Sequence, residues 1–180
     1  MIILQTPKHL SKPISLSQQE KINWMKRLLS KAKIVGDQGE VPIAAVILDN
    51  KGRCIGYGGN RRETMKDPLG HAELVALRQA SWINNDWRFN HCTLIVNLEP
   101  CPMCAGALIQ ARMGRIIYGS KDPKRGALGG TINLAVHKSA HHKMLIEGGV
   151  MEKESREIII NWFKDKRRVA TTGNLLSKLR

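Results

Sequence analysis

Apolar residues recur at helical spacing early in the chain, behind a clear helix start signal. Ser17 and Glu20 form an S-x-x-E capping box, in which each side chain satisfies a backbone N–H at the helix end. The apolar positions that follow fit one helical face: Ile22, Met25, Leu28, Leu29 and Ala32. Gly36 and Gly39 then interrupt the pattern, so we expect a basic helix ending near Val35.

Further along, continuous apolar runs predict strands that are buried on both faces. "PIAAVILD" and "TLIVNL" are the clearest of these runs, and "RIIYGS" and "KMLIEG" add two more strands. "DNKG", residues 49–52, predicts a hairpin turn leading into the glycine-marked strand "RCIGYGGN". Helical patterns over 70–81, "CPMCAGALIQAR" and 151–168, with a short helical piece after the glycine-rich "KRGALGG", complete the series. This order predicts an α/β domain of three layers, α/β/α, with a mixed five-stranded sheet at its centre.

Length and composition indicate one compact domain. At 180 residues, with 42% hydrophobic and 24% charged residues, the chain can bury a full core. No run of eighteen apolar residues occurs, so we expect no membrane partner and a cytoplasmic location. We divide the chain into a polar, basic N-terminal extension (1–15), the domain itself (16–168) and a basic C-terminal tail (169–180).

The positive charge is concentrated in the flanking segments. The formal net charge is +14, and residues 1–35 and 112–143 each carry seven Lys and Arg against one acid. Residues 36–111 are nearly neutral, and residues 151–180 are basic again. A surface of this kind favours a polyanion bound through its phosphates, although a basic surface with no partner would have the same composition.

The four cysteines are too few for a disulfide scaffold. Cys101 and Cys104 form a C-x-x-C, which is typical of a metal site or a redox site. Cys54 and Cys92 lie in strand-like segments, where we expect both to be buried core thiols.

His71 completes a set of metal donors with the two paired cysteines. Two thiolates and one imidazole suit Zn²⁺, and three protein ligands leave a fourth position for water, as in catalytic sites. Both predicted helices begin at these donors, and the positive end of a helix stabilises a thiolate. A redox C-x-x-C would leave His71 without a role.

Glu73 follows His71 by only two residues, which would place the two side chains on opposite faces inside a helix. At the first turn of a helix, however, both can reach the same point. A zinc ion with two thiolates acidifies its water less than one with three imidazoles, so a carboxylate is needed to carry the water proton. The alternative is a helix-capping acid that interacts only with the helix dipole.

"HAE" followed by "PCPMC" is the H-x-E…P-C-x-x-C signature of zinc-dependent nucleobase deaminases. Four further segments match as well: "EVPIAAVI", "DPLGHAELVALRQA", "LEPCPMCAGALIQARMGRIIYGSKDPKRGALG" and "WFKDKRR". Over about residues 17–168 the chain resembles the bacterial tRNA-specific adenosine deaminases of the cytidine/deoxycytidylate deaminase superfamily.

The resemblance implies a cytidine-deaminase-like fold and hydrolytic deamination of adenosine to inosine at wobble position 34 of a tRNA anticodon. It also implies a homodimer, an anticodon stem-loop as partner, and one Zn²⁺ per subunit on His71, Cys101 and Cys104. Glu73 would move the protons. The resemblance assigns contacts with the RNA as follows: Asn60 with the target nucleoside, Ile43 and Leu98 with its pocket, Asp122 and Lys124 with neighbouring nucleotides, and Lys164, Arg167 and Arg168 with phosphates.

Three positions depart from the family pattern. Gly130 stands where a serine is usual, His141 where an asparagine is usual, and Pro123 follows the loop aspartate. These departures concern which anticodon loops are accepted. Two other functions stay open at this point: a deaminase of free guanine or cytosine, which would not need the basic rim, and a zinc-stabilised RNA-binding protein, which would not need Glu73.

Overall fold

A computed structural model describes the backbone of residues 12–177 and the side chains of residues 12–168. The chain runs in the order α1 (Gln18–Asp37), β1 (Ala44–Leu48), β2 (Cys54–Gly59), α2 (Arg62–Met65), α3 (Ala72–Asn84), β3 (Thr93–Leu98), α4 (Pro102–Gln110), β4 (Arg115–Ser120), β5 (Leu145–Glu147) and α5 (Glu152–Ser177). A short 3₁₀ helix, Leu134–Val136, precedes β5. The capping box at Ser17 and Glu20 forms as expected.

The five strands form one mixed sheet in the order β2-β1-β3-β4-β5. β1 pairs antiparallel with both β2 and β3, whereas the β3–β4 and β4–β5 pairs are parallel. Each parallel pair needs a crossover connection, which α4 supplies between β3 and β4. The predicted α/β class and the mixed five-stranded sheet are confirmed.

Two apolar clusters, one on each face of the sheet, account for the continuous apolar run in β1. Ala45 and Ile47 pack into the cluster that contains α3 and α4. Ala44, Val46 and Leu48 alternate with them and pack into the cluster that contains α1 and part of α5. Successive side chains of a strand point to opposite faces, so a strand between two helical layers is apolar throughout. This arrangement confirms the three layers.

Helix α3 lies directly on β2 because two glycines allow the close approach. A Cβ at Gly58 would collide with the carbonyl oxygen of Ala72 and lie 2.7 Å from the backbone nitrogen of Ala76. A Cβ at Gly56 would lie 2.8 Å from Cβ of Ala80. The glycines of β2 therefore fix the height of α3 above the sheet, and with it the position of the α3 N-terminus.

Several boundaries differ from the sequence predictions. Helix α3 continues to Asn84 rather than about 81, and ends where Asn85 adopts a left-handed conformation (φ 49°). Helix α5 continues past Arg168 to Ser177, and no proline interrupts that segment. Helix α2 was not predicted, because four residues carry no periodic signal.

The two isolated cysteines behave differently. Cys92 is buried, as predicted. The prediction for Cys54 is wrong, because this residue is exposed at the start of the edge strand β2. Apolar patterning does not reveal which strand lies at the edge of the sheet. A residue in an edge strand has a neighbouring strand on one side only and is therefore more exposed.

The N-terminal extension is described only from residue 12. Leu16 is buried and Ile14 packs against the α1 cluster. The predicted divisions at 15/16 and 168/169 stay predictions, and the second falls inside α5. None of the helices between residues 12 and 177 is long and apolar enough to cross a membrane.

Candidate active site

The two helices that carry the predicted metal donors begin at those donors. His71 is the residue before α3 and has an extended backbone (φ −77°, ψ 146°). Cys101 holds the same position before α4 (φ −71°, ψ 171°), and Pro102 starts that helix, where a missing N–H costs nothing. Cys104 lies one turn into α4. The thiols of Cys101 and Cys104 are therefore close to unpaired N–H groups at the positive end of a helix.

The structure brings the three donors to one point. Nδ1 of His71 lies 3.6 Å from Sγ of Cys101 and 3.5 Å from Sγ of Cys104, and all three atoms lie within 4.8 Å of one another. Tetrahedral zinc with ordinary Zn–N and Zn–S bonds separates such donors by about 3.5–3.6 Å. Among the side chains of residues 12–168, no other group of three or more His, Cys, Asp or Glu donors converges in this way. The donor set therefore fits a zinc ion in identity and in spacing.

The two thiols interact strongly when no metal is bound. The pKa of Cys101 falls to about 3, first because the Cys104 side chain hydrogen-bonds to it and also because His71 does. The same bond raises the pKa of Cys104, and burial raises it further. Hydrogen bonding to Cys101 raises the pKa of His71. Cys101 is thus the thiol that ionises first, and a metal that binds both sulfurs would release the proton of Cys104.

Glu73 lies beside this group of donors. It is the second residue of α3, and the residue is only 4% exposed. Burial raises the pKa of this carboxyl. The 200° separation expected inside a helix does not apply, because His71 precedes the helix in extended conformation. This burial exceeds what an exposed helix-capping acid would show.

Asn60 and Ile43 are neighbours at the end of the β1–β2 pair. The backbone N–H of Asn60 donates to the carbonyl oxygen of Ile43 at 3.0 Å. Asn60 is 6% exposed, and its Oδ1 accepts no hydrogen bond from the described residues. Asn60 also lines a cleft of about 730 Å³ between α1, β2 and α3, whose walls include none of the three metal donors. An amide oxygen buried without a protein partner is available to a ligand.

Leu98 is the last residue of β3, half-buried, three residues before Cys101. The preceding residue, Asn97, was missed by the sequence analysis. Its Oδ1 accepts from the backbone N–H of Ala44 (2.9 Å), and its Nδ2 donates to the carbonyl oxygen of Pro42 (3.0 Å). This buried amide ties β3 to the segment that carries Ile43. A polar residue in an apolar strand run was the available signal.

Asp122 and Lys124 lie in the loop after β4. Oδ1 of Asp122 accepts the backbone N–H groups of Lys124 (2.9 Å) and Arg125 (3.1 Å), so this carboxylate already caps its own turn. Lys124 is exposed. Glu99, a second residue that the sequence analysis missed, is buried beneath this loop and accepts a backbone N–H from Asp122 at 3.1 Å.

The three predicted phosphate contacts lie on α5 rather than beside the donors. Lys164, Arg167 and Arg168 are all exposed, and Arg168 lies 4.0 Å from Asp165. Just before them, Nε1 of Trp162 donates to the carbonyl oxygen of Gly36 at 3.0 Å, which fastens α5 to the C-terminal end of α1.

Comparison with known proteins identifies relatives over nearly all of the described chain. The family model described as MafB19-like deaminase matches residues 19–167. The tRNA-specific adenosine deaminase of Bacillus subtilis is 37% identical over 154 residues, which cover 84% of this chain and 95% of that protein. The enzyme of the same name from Agrobacterium fabrum is 37% identical over 148 residues, 82% of this chain and 97% of that one.

A solved structure from a study of A-to-I editing by tRNA A34 deaminases is similar as well. It is 38% identical with a TM-score of 0.73, and the match covers 76% of this chain and 98% of that one. The shared fold, the near-complete coverage of two relatives and the His71, Cys101 and Cys104 donors with Glu73 beside them agree. The chain belongs to the tRNA-specific adenosine deaminase family.

Proposed function

We propose that this chain is a tRNA adenosine deaminase, which hydrolyses adenosine to inosine at wobble position 34 of the anticodon. One observation carries the proposal: a buried glutamate beside a His-Cys-Cys metal group, in a chain that matches tRNA-specific adenosine deaminases over most of its length. A protein that only used the metal to stabilise its fold would have no need for Glu73 in that position.

The metal in this proposal is one Zn²⁺ per subunit, held by His71, Cys101 and Cys104. The donor types and the 3.5–3.6 Å separations support zinc, and three protein ligands suit an open, catalytic site. When bound, zinc makes a water molecule acidic enough to react at neutral pH.

Glu73 moves the protons of the reaction. Water adds to C6 of the adenine ring, and the Glu73 carboxylate takes a proton from it and delivers it to the ring nitrogen N1. A second proton transfer through Glu73 lets the amino group leave as ammonia, and the base becomes hypoxanthine. The burial of Glu73 keeps its carboxyl away from bulk water, which would otherwise exchange these protons.

The substrate contacts rest on both the resemblance and the positions of the residues. Asn60 would bind the target nucleoside with its unpaired Oδ1, between Ile43 and Leu98. A base must leave the anticodon stack to enter such a site. Asp122 and Lys124 would face the neighbouring nucleotides.

The exposed cations of α5, Lys164, Arg167 and Arg168, would hold phosphates of the anticodon stem. Since several phosphates would be neutralised, we expect tRNA affinity to fall steeply with salt concentration. This binding, like a cytoplasmic location, stays a prediction.

We also propose that the chain forms a homodimer through the outer faces of α3 and α4. Met103 and Ala107 are only half-buried there, as is Leu77, which also packs against the core, and a Cβ on Gly106 would meet open space. Small and apolar residues at an exposed helix face allow a second helix to approach closely. Light scattering during size-exclusion chromatography measures the mass, and a monomer at micromolar concentration would contradict the proposal.

One experiment separates the candidate functions. The zinc-loaded protein is incubated with an anticodon stem-loop carrying adenosine 34 and, separately, with free guanine, cytosine and adenosine, and inosine and ammonia are measured. We expect inosine in the stem-loop. Turnover of free bases alone would indicate the other deaminase class, and RNA binding without turnover of any substrate would indicate a non-enzymatic protein.

Two variants test the part played by Glu73. Glu73→Gln keeps the side-chain shape, so we expect zinc to be retained while kcat falls by about 10²–10⁴-fold. Glu157→Gln, at an exposed position of α5, is the matched control and should keep normal activity. Turnover by Glu73→Gln at the normal rate would disprove the proton-transfer role.

A further inference from the structure

A second glutamate, Glu99, is buried close to the site and has no part in the chemistry proposed above. It is 2% exposed and lies between the end of β3 and the metal donor Cys101. Its carboxylate accepts three backbone N–H groups, those of Asp122 (3.1 Å), Leu128 (2.9 Å) and Gly130 (2.8 Å). All three donors belong to the loop that follows β4.

The loop is wrapped closely around this carboxylate, and its glycines make that possible. A Cβ on Gly130 would lie 2.5 Å from Oε2 of Glu99 and 2.6 Å from the carbonyl oxygen of Asp122. A Cβ on Gly126 would collide with the same carboxylate oxygen. The glycine-rich sequence "GALGG" thus forms a cradle of backbone N–H groups around a buried negative charge. Gly130, where the family usually has a serine, belongs to this cradle.

The cradle is joined to the metal donors through the backbone. The N–H of Ala127 donates to the carbonyl oxygen of Pro100 at 2.9 Å, and Pro100 immediately precedes Cys101. The N–H of Glu99 donates to the carbonyl oxygen of Ser120 at 2.8 Å, at the start of the loop. A displacement of the loop relative to the start of α4 would therefore break several hydrogen bonds at once.

We infer that Glu99 is a positioning residue, which holds the loop 121–130 at a fixed distance from the metal donors. The loop carries Asp122 and Lys124, so Glu99 sets where the nucleotides beside adenosine 34 can bind. The predicted effect on catalysis rests on the proposed function. The hydrogen bonds between Glu99 and the loop are independent of that function. Glu99 touches neither the reacting base nor the metal donors in this role, so its loss should weaken substrate binding more than the chemical step.

The chain offers a matched control in a different turn. Asp49 is 5% exposed, and its Oδ1 accepts the backbone N–H groups of Lys51 and Arg53, both at 2.9 Å. This carboxylate organises the β1–β2 hairpin in the same chemical way, at the opposite end of β1 from Ile43. Asp49→Asn should therefore alter stability without altering the site.

The test compares the zinc-loaded protein with its Glu99→Gln and Asp49→Asn variants. Amide hydrogen exchange measures the loop directly, and steady-state kinetics on the adenosine-34 stem-loop gives KM and kcat separately. In Glu99→Gln the amide oxygen can still accept from Leu128 and Gly130, but an NH2 group replaces Oε2, the acceptor of the Asp122 N–H. We therefore expect exchange at Asp122 to accelerate by about 10–100-fold, and exchange at Leu128 and Gly130 to accelerate less, since their acceptor is no longer charged. KM should rise by about tenfold or more, with a smaller change in kcat and one zinc retained per subunit.

In Asp49→Asn, faster exchange should be confined to the hairpin and KM should stay normal. A normal KM for Glu99→Gln, or normal exchange at Asp122, would overturn the inference. If Asp49→Asn raised KM equally, the effect would be a general loss of stability and the inference would also fail.

Gly130→Ala provides a second route if Glu99→Gln does not fold. Residue 130 is exposed, so the variant should fold, yet its Cβ would push the loop away from Glu99. We expect the same rise in KM, and a normal KM would overturn the inference. If the unmodified protein fails to deaminate the stem-loop, the proposed function is wrong, but hydrogen exchange still decides whether Glu99 holds the loop.

Discussion

The contact between β2 and α3 leads to a prediction that links packing to catalysis. The perturbation is Gly58→Ala, which adds one methyl group on the face of β2 that supports α3. The new Cβ would lie 2.7 Å from the backbone nitrogen of Ala76, where ordinary contacts begin at 3.4 Å, and would collide with the carbonyl oxygen of Ala72. Because both atoms belong to the helix backbone, no side-chain rotation can relieve the overlap. Helix α3 must therefore move by at least about 0.7 Å.

This movement should affect both stability and activity. Overpacking of a core by one methyl group costs about 1–3 kcal/mol of unfolding free energy. His71 immediately precedes helix α3 and Glu73 is its second residue, so the same shift would move the candidate metal donor and the proposed proton carrier away from α4. A misplacement of about 1 Å can lower the rate of a well-oriented reaction by about 10²-fold.

The assay combines urea unfolding with single-turnover deamination of the adenosine-34 stem-loop under saturating zinc. Gly59→Ala is the control. Gly59 is next to Gly58 but faces α1, and a Cβ on it would come close only to the end of the Val35 side chain. We expect this variant to lose some stability but to keep a rate within about threefold of normal. A Gly58→Ala protein with normal stability and a normal single-turnover rate would refute the argument that β2 sets the position of α3.

Three further variants test the metal group, the α1–α5 contact and the core. Cys104→Ser should reduce bound zinc well below one ion per subunit by elemental analysis, whereas the same change at the exposed Cys54 should leave it at one. Trp162→Phe removes the hydrogen bond to Gly36, so unfolding free energy should fall by about 0.5–1.5 kcal/mol in urea; an unchanged midpoint would show that this bond adds nothing. Phe89→Ala truncates a fully buried side chain and should lower the free energy of unfolding by about 3–5 kcal/mol in the same assay.

Local signals in the sequence were sufficient for the fold class and for finding the His-Cys-Cys group that could hold a metal. The apolar runs of β1 and β3 are continuous because helices cover both faces of the sheet, and that pattern is visible without coordinates. His71, Cys101 and Cys104 were identifiable because few residue types bind zinc and two of them share one helical turn.

Other features depend on where separate segments meet, which a single sequence does not reveal. Nothing in the sequence around Glu99 distinguishes it from a surface acid, because the N–H groups that bind it lie about thirty residues later, in the loop 121–130. Asn97 acquires its partners only when β1 is placed beside β3. Cys54 was assigned to the core because a lone cysteine in a strand-like segment is usually buried, whereas its exposure depends on β2 lying at the edge of the sheet. Long-range pairing, rather than local composition, decides each of these cases.

The placement of the donors at two helix starts makes metal content a measure of tertiary packing. His71 depends on α3 resting against the glycines of β2, and Cys101 and Cys104 depend on β3 and the turn that follows it. An unfolded chain holds its imidazole thirty residues away from its thiols, so tight binding belongs to the packed state. Free zinc at a hundred times its dissociation constant would then raise the free energy of unfolding by about 2.7 kcal/mol. A chelator titration would therefore detect damage to β2 or β3 even when the donors themselves are unchanged.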